Sequence, residues 1–332
     1  MQQSHCSYTT HTVFVYFVAG RQMIGNDVDL QKIQYFLAVM EHRNYSSAAQ
    51  ALRVSQPTLS RQMSALEHEF DAPLFVRHGR GVAPTEAANR LYEGFKGLER
   101  QLRSLKSEVG AASGEPRGEV AFGIPPSPRS LLGVPLIERF AKEYPRVVVR
   151  VSEETSSELR DQVAAGVLDL AVTNLNEPMR GVTAEPLGQE SMLLVGPPDA
   201  KFAKRGEISI DRLADFPLIL TTRPNSLRLS VEAGLSRFGI RPNIRIEANT
   251  LPLMTDLVRA GLGYTVLPSC GVRALTKSGQ VSARPIAGLS ITWLMAMPKS
   301  RSLSFAAERF CEMLRLISRE QIDKGIWNRP RA

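Results

Sequence analysis

Cysteine is scarce. Cys6, Cys270 and Cys311 are the three in the chain, far apart and without a CxxC pair. That excludes a disulfide-stapled scaffold and a zinc knuckle, and it points to a reducing compartment. Histidine is absent after His78, so everything beyond lacks the material for a nucleophile–His pair or a His-containing metal cluster. A dinucleotide fingerprint is missing: Gly261-Leu262-Gly263 is too short and precedes an apolar strand instead of following one. Asp169 opens a predicted strand away from any cleft mouth, and Cys270 has no base beside it in sequence. An enzyme is therefore disfavoured, and no catalytic residue, cofactor or metal is assigned. Long apolar runs are lacking too. Val13–Ala19 is too short to span a bilayer, and Met1–Thr12 carries no lysine or arginine, as a secretory signal would require. Residues 1–28 are expected to be a disordered extension, or translation assigned too far upstream with Met23 a possible start. A membrane partner is not expected, and the location expected is cytoplasmic.

What is present is a chain of 332 residues, 43% hydrophobic, with 41 basic against 33 acidic residues and a net charge of +8. That is enough for two or three cored domains, and the excess of base suits a polyanionic partner. Acids and bases nearly balance in the N-terminal third, so contact with nucleic acid must rest on particular side chains.

Those side chains stand in Ser46–Phe70, SSAAQALRVSQPTLSRQMSALEHEF. The spacing predicts two helices with a corner at Arg53-Val54. Ser47 and Gln50 have capping-box spacing. Ala48, Ala49 and Leu52 give a small apolar face that lets another helix approach. Ser55 is a good N-cap, and Pro57 falls in a first turn where a missing N–H costs little. Leu59, Met63, Leu66 and Phe70 form one buried stripe. The opposite face carries Pro57, Ser60, Arg61, Ser64 and His68, short polar groups and a guanidinium suited to a major groove. Any amphipathic helical hairpin could show the same pattern; the flanks favour DNA. Upstream, Leu30, Ile33, Phe36, Leu37 and Met40 predict a helix that roofs the pair. Downstream, PLFVRHGRGVAPTEA (Pro73–Ala87) reads as a two-stranded wing with a basic, glycine-rich tip.

Residues 30–92 resemble the winged helix-turn-helix of the LysR-type transcriptional regulators, through FLAV, SSAAQAL, VSQPTLSRQMSALE, PLFVR and PTEA. Asp71 departs from the glycine usual at the end of the recognition helix, and Ala88 from another. The likeness continues to about Ile317. Ser157–Val172, SELRDQVAAGVLDLAV, is similar to the nitrogen-assimilation-control subgroup, whose members need not sense a ligand. The DNA contacts expected are Gln56, Pro57, Thr58 and Arg61 on base edges or adjacent phosphates, Ser55 and Ser60 on the backbone, and Arg77 and Arg80 on flanking phosphates.

Beyond the wing, Thr85 can cap a helix. Leu91, Phe95, Leu98, Leu102, Leu105 and Val109 then keep a heptad seam that predicts a homodimer. The alternative is a helix packed on its own domain. Gly94 and Gly97 weaken this rod. Gly110–Gly118, GAASGEPRG, breaks it. A two-fold dimer calls for a pseudo-palindromic operator in double-stranded DNA; the resemblance implies a homotetramer, and RNA polymerase is a possible partner.

From Glu119, apolar strands alternate with helices, which predicts parallel, doubly wound sheets. The fold class expected is thus α/β, with an all-α winged helix-turn-helix ahead of it. The domains expected are 29–84 for DNA, 85–110 for the linker helix, 111–118 for a hinge, 119–320 for an effector domain and 321–332 for a tail. The resemblance implies two subdomains resembling solute-binding proteins, about 119–188 with 288–320 and about 189–287, crossing near Gly188 and Ala287. Strand-to-helix corners of such sheets bind ligands. Here they carry Ser127 and Pro128; Thr173; Thr221, Thr222, Arg223 and Asn225; Asn249 and Thr250; and Ser269, with Arg129 and Arg228 close by. The resemblance implies a small inducer in that cleft. Donors and positive charge with no carboxylate in the corners favour a small anion, most simply a carboxylate. The alternative is that the arginines pair with Glu232 or Glu247 and the corners only cap helices. A solute-binding protein with no DNA role is the rival of another class.

Overall fold

A computed structural model describes residues 29–79, 81–110, 115–174, 181–200, 202, 206–299 and 302–330. The expectations for residues 1–28, for Arg80, for residues 111–114 of the hinge and for the seam side chains of Leu105 and Val109 lie outside what is described. The chain falls into two compact units, divided between Ala87 and Ala88.

In the first unit, α1 (Leu30–His42) is capped by Asp29, which accepts from the Lys32 amide at 2.7 Å. Ile33, Phe36, Leu37 and Met40 are buried, whereas Leu30 is exposed. Arg43, in the left-handed region at φ 52°, ends the helix. Helix α2 (Tyr45–Leu52) starts earlier than Ser47-Gln50 suggests. Asn44 is its cap, its carboxamide accepting from Ser46 and Ser47. An asparagine just outside the periodic segment does the capping, because it reaches two free amides at once. Ala48 and Ala49 are buried, and Arg53 turns the chain at φ 57°.

Helix α3 (Gln56–Glu69) opens at Ser55, whose hydroxyl accepts from the Thr58 amide. Leu59, Met63 and Leu66 are completely buried, but Phe70 is 42% exposed. The helix ends at Glu69, so Phe70 leaves the periodic stripe. Asp71 follows at φ 46°. Aspartate tolerates this conformation less well than glycine. Asp71→Gly is expected to stabilise the unit by about 0.5–1 kcal/mol. A lowered denaturant midpoint would show that the Asp71 side chain compensates locally.

The wing is β1 (Phe75–His78) paired antiparallel with β2 (Gly81–Pro84). Two contacts fix it. The Glu67 carboxylate accepts from the Leu74 and Phe75 amides at 2.8 and 3.2 Å. The Arg43 carbonyl accepts from Val82 at 2.9 Å, and Gly81 passes so close to that carbonyl that a Cβ would collide with it. Lys32 and Glu69, 2.6 Å apart, tie α1 to α3.

Helix α4 (Glu86–Gly110) leads into the second unit. There β3 (Gly118–Ile124) is followed by a π-helical turn (Arg129–Gly133) and α5 (Val134–Glu143). Next come β4 (Val147–Glu153), α6 (Ser156–Ala164), β5 (Leu170–Thr173) and the long β6 (Val182–Gly196). Then follow β7 (Leu218–Leu220), α7 (Ser226–Ser236), β8 (Ile244–Glu247), α8 (Leu251–Arg259) and β9 (Thr265–Pro268). Helix α9 (Ser269–Lys277), the long β10 (Ser282–Pro298) and α10 (Phe305–Asp323) complete it.

The sheets are mixed, not wholly parallel. β3, β4 and β5 run parallel, as do β7 and β8, but β10 lies antiparallel to both β5 and β6, and β6 to β9. β6 and β10 pair along most of their length, with register breaks at Pro285/Ser290 and Trp293/Leu294. At one end β10 borders β5; at the other, β6 borders β9. These two strands thus run through both halves of the unit. One core joins Phe122, Phe140, Leu194, Met295 and Phe310, all fully buried. A second packs Val195, Ile219, Val258 and Leu267 beneath α8 and α9.

Candidate DNA-binding and effector sites

On α3, Gln56, Pro57, Arg61 and Ser64 are exposed, with Thr58 and Ser60 half-buried. The buried stripe holds the helix from behind, so this face looks outward because of the same periodicity. Arg61 lies back along its own helix, Nε reaching the Pro57 carbonyl at 3.5 Å; that bond is long enough to yield to a better acceptor. Ser55 and Thr58 hydroxyls share a 2.7 Å bond. From the wing, Arg77 reaches Ser60 Oγ at 3.3 Å and stands 5.9 Å from the Tyr45 ring centre. A guanidinium is therefore held beside the first turns of α3. Sequence reasoning missed Tyr45 and Glu67 as the groups that place it. Burial, then the nearby Glu67, push the Tyr45 hydroxyl up to about 12, against the opposing effect of Arg77. Tyr45 thus stays neutral and serves Arg77 as a π-face.

In the second unit several of the polar corners meet in pairs. Asn174, just after Thr173, accepts from Ser226 Oγ at 2.9 Å and so joins the end of β5 to the start of α7. Gly271, in the first turn of α9, lies against Ser127: a Cβ there would sit 3.2 Å from the hydroxyl. Ser127, Thr173 and Thr221 are buried. Pro128 heads the π-helical turn, its carbonyl accepting from Leu131 and Leu132. Asn225 caps α7, accepting from Leu227 and Arg228. Asn249 accepts from both the amide and the hydroxyl of Thr222 at 2.8 and 2.9 Å. Thr250 precedes α8 and makes no side-chain cap bond.

The arginines are committed elsewhere. Arg223 pairs with Glu232 at 2.7 Å, and Arg129 with Glu153 at 3.0 Å. Arg228 is one-tenth exposed and sits between Glu232, at 2.9 Å, and Glu247, while also donating to the Thr221 carbonyl at 2.8 Å. Burial works to raise the Glu232 carboxyl, but Arg228 and Arg223 outweigh it and hold it below the usual range. This is the pairing that competes with an anion pocket. A carboxylate also enters the Ser269 corner from outside its own sequence. Glu190 on β6, fully buried, accepts from Ser269 Oγ, from the Cys270 amide at 2.7 Å and from Trp293 Nε1 at 2.6 Å. It occupies the N-terminus of α9, where a ligand anion would otherwise be favoured. Its only signal in sequence is an acid set in the strand SMLLV and its approach, which no pattern distinguishes from a solvent-facing position. Burial, then Glu190, push the Cys270 thiol well above its ordinary value, which favours the neutral thiol over the thiolate.

Among the described residues, no group of His, Cys, Asp or Glu is arranged to hold a metal ion, and no helix is long and apolar enough to cross a membrane.

A winged helix-turn-helix followed by a long helix and an α/β unit is the domain order of a DNA-binding transcriptional regulator. The chain belongs to the LysR family. Residues 30–89 match the bacterial regulatory helix-turn-helix of that family, and residues 113–316 match the LysR substrate binding domain. Among relatives, the nitrogen assimilation regulatory protein of Klebsiella aerogenes is 29% identical over 300 residues, covering 89% of this chain and 97% of that protein. Full-length OxyR C199D from Pseudomonas aeruginosa shares the fold with a TM-score of 0.66 at 22% identity, covering 89% of this chain and 96% of that one. Full-length CbnR in complex with its target DNA gives 0.63 at 22% identity, covering 87% and 100%. The protein is a LysR-type transcriptional regulator with a DNA-binding and an effector-binding domain.

Proposed function

We propose that the protein reads a pseudo-palindromic operator as a cytoplasmic homodimer or homotetramer and has no catalytic activity. Gln56, Pro57, Thr58 and Arg61 face base edges; Ser55 and Ser60 meet the backbone; Arg77 and Arg80 hold flanking phosphates. The observation that carries this is Arg77, bonded to Ser60 of α3, so that wing and recognition helix present one surface. CbnR binds its target DNA with the same fold. The test is selection of sites from a random duplex pool by the full-length protein. Enrichment of an inverted repeat, with affinity falling steeply in salt, is expected. Enrichment of nothing above background would end this proposal. RNA polymerase is the partner such a regulator would address.

The linker supports a dimer. Leu98 is 45% exposed and Leu91 and Leu102 are half-buried, while Gly97 is packed against Ala165 and Gly166, where any Cβ would collide with backbone. The helix thus rests on its own unit at Gly97, and of the heptad seam Phe95 is buried while Leu98 stays open. Leu98→Glu is expected to yield a monomer by light scattering at micromolar concentration, with operator affinity reduced as avidity is lost. A dimer of wild-type strength in that variant would place the interface elsewhere.

For the effector, the paired arginines favour a small polar molecule read by hydroxyls and helix N-termini at Ser127, Thr173 and Thr221. A carboxylate held by Arg223 or Arg228 would first have to displace Glu232 or Glu247. Thr221 Oγ1 is buried and finds no hydrogen-bond partner among the described residues. Leaving such a group unpaired costs about 1–3 kcal/mol. Thr221→Val is therefore expected to leave the free protein as stable or more stable, and to abolish the rise in melting midpoint that a cognate effector gives. Screening mono- and dicarboxylates beside amines and sugars distinguishes the classes. A variant less stable than wild type would mean the hydroxyl is already satisfied.

A further inference from the structure

Away from the cleft, an open pocket of about 490 Å³ lies between α10, the start of β6 and the segment that follows α10. That segment is docked. Trp327 is buried with its ring over Gly188, where a Cβ would collide with the indole, and Asn328 exchanges two backbone hydrogen bonds with Gln189 at 2.7 and 3.0 Å. The next residues, Arg329 and Pro330, line the pocket, so the segment after α10 forms one of its walls.

The charges around it are uneven. Arg315 is held by Glu185 through three contacts of 2.7–3.0 Å. Ser318 Oγ is spent on the Leu187 carbonyl at 2.6 Å. Arg319 and Arg329, by contrast, are exposed at the pocket and have no partner among the described residues, although Asp323 also lines it. Two unpaired guanidiniums at a cavity that a small metabolite would fill are matched by an anion with several acceptor oxygens.

We propose that this pocket is a second ligand site, separate from the effector cleft, which takes a small multiply charged oxyanion between Arg319 and Arg329. Its floor, Glu185–Leu187, leads directly into Gly188 and Gln189, where the tail is pinned. An occupant would therefore tie α10 and the tail to the strand that runs through both halves of the unit.

The experiment is thermal melting of the full-length protein with pyrophosphate and, separately, citrate, at constant ionic strength set with chloride. One or both should raise the midpoint in a saturable manner, and the pair distinguishes phosphate from carboxylate chemistry. Arg319→Ala and Arg329→Ala should each cut the apparent affinity by tenfold or more. Ending the chain at Asn328 removes the wall but keeps Trp327 and the Gln189 pairing; it should do the same without lowering the midpoint of the free protein. Arg309→Ala, which removes a guanidinium paired with Glu312 on the same helix, should leave affinity unchanged. No saturable shift with either anion, or equal loss in the Arg309 variant, would overturn the site.

Discussion

Arg61→Ala should bind the selected operator about 5- to 150-fold more weakly than wild type, with little loss on random duplex. The physical basis is the side chain's position. Arg61 is exposed on the face of α3 opposite Leu59, Met63 and Leu66, and its one observed bond, to Pro57 O at 3.5 Å, is long. Swinging out to a guanine edge therefore gives up little and gains a bidentate contact, about 1–3 kcal/mol of base discrimination. Specificity should relax at one base pair per half-site. Arg77→Ala should act differently. Removing a flanking cation weakens all sequences alike and lowers the salt slope by about one. It also frees Ser60 and uncovers the Tyr45 ring, so a small loss of wing order is expected with it. If Arg61→Ala lowered random and selected duplex equally, Arg61 would be a phosphate contact and the helix would sit in the groove at another rotation.

Sequence carried the helix-turn-helix well because every device there is local. Ser55 caps α3 within three residues, and Leu59, Met63 and Leu66 sit on one face by their spacing alone. The misses in that unit are terminal ones. Asn44 outcompetes Ser47 as cap since its carboxamide spans two amides, and Phe70 falls outside because the helix stops one residue short. The second unit was legible as strands and helices, yet not in its pairing. β6 and β10 are long and antiparallel, and β10 went unseen: Leu289–Trp293 alternates apolar and polar, but Pro285 and Gly288 ahead of it, where the register breaks, hide the length of the strand. The corners were found as clusters of hydroxyls and amides. Which of those were already spent was not visible. Thr222 with Asn249, Arg228 with Glu247 and Ser269 with Glu190 are separated by 27, 19 and 79 residues, and only the fold brings them together.

Arg228→Ala should destabilise the second unit by about 2–4 kcal/mol, lowering its melting midpoint by about 5–15 °C. Removing one partner of a buried ion pair strands the others. Here Glu232 is 14% exposed and would keep only the exposed Arg223, and the Thr221 carbonyl would lose its donor. The figure sits below the top of the usual range because Glu247, the third member, is about half exposed and can recover water. The sign with pH follows from Glu232. Its folded carboxyl is held below the usual range, while Arg228 is raised further, first by its bond to Glu247. The stabilisation is therefore complete above the unfolded carboxyl value, about pH 4.3, and fades as pH falls through the depressed folded value. Wild type and variant should differ fully at pH 7 and converge in acid. Arg228→Lys should recover part of the loss, since one ammonium cannot serve both carboxylates and a carbonyl in the same geometry. Arg228→Met separates charge from packing. If it melts with wild type at neutral pH, the guanidinium contributes only its stem, and the two carboxylates are free to leave the corner to an anionic effector. If it melts with Arg228→Ala, the network holds α7 and β8 around Thr221, and the cleft is shaped by charges the protein supplies itself.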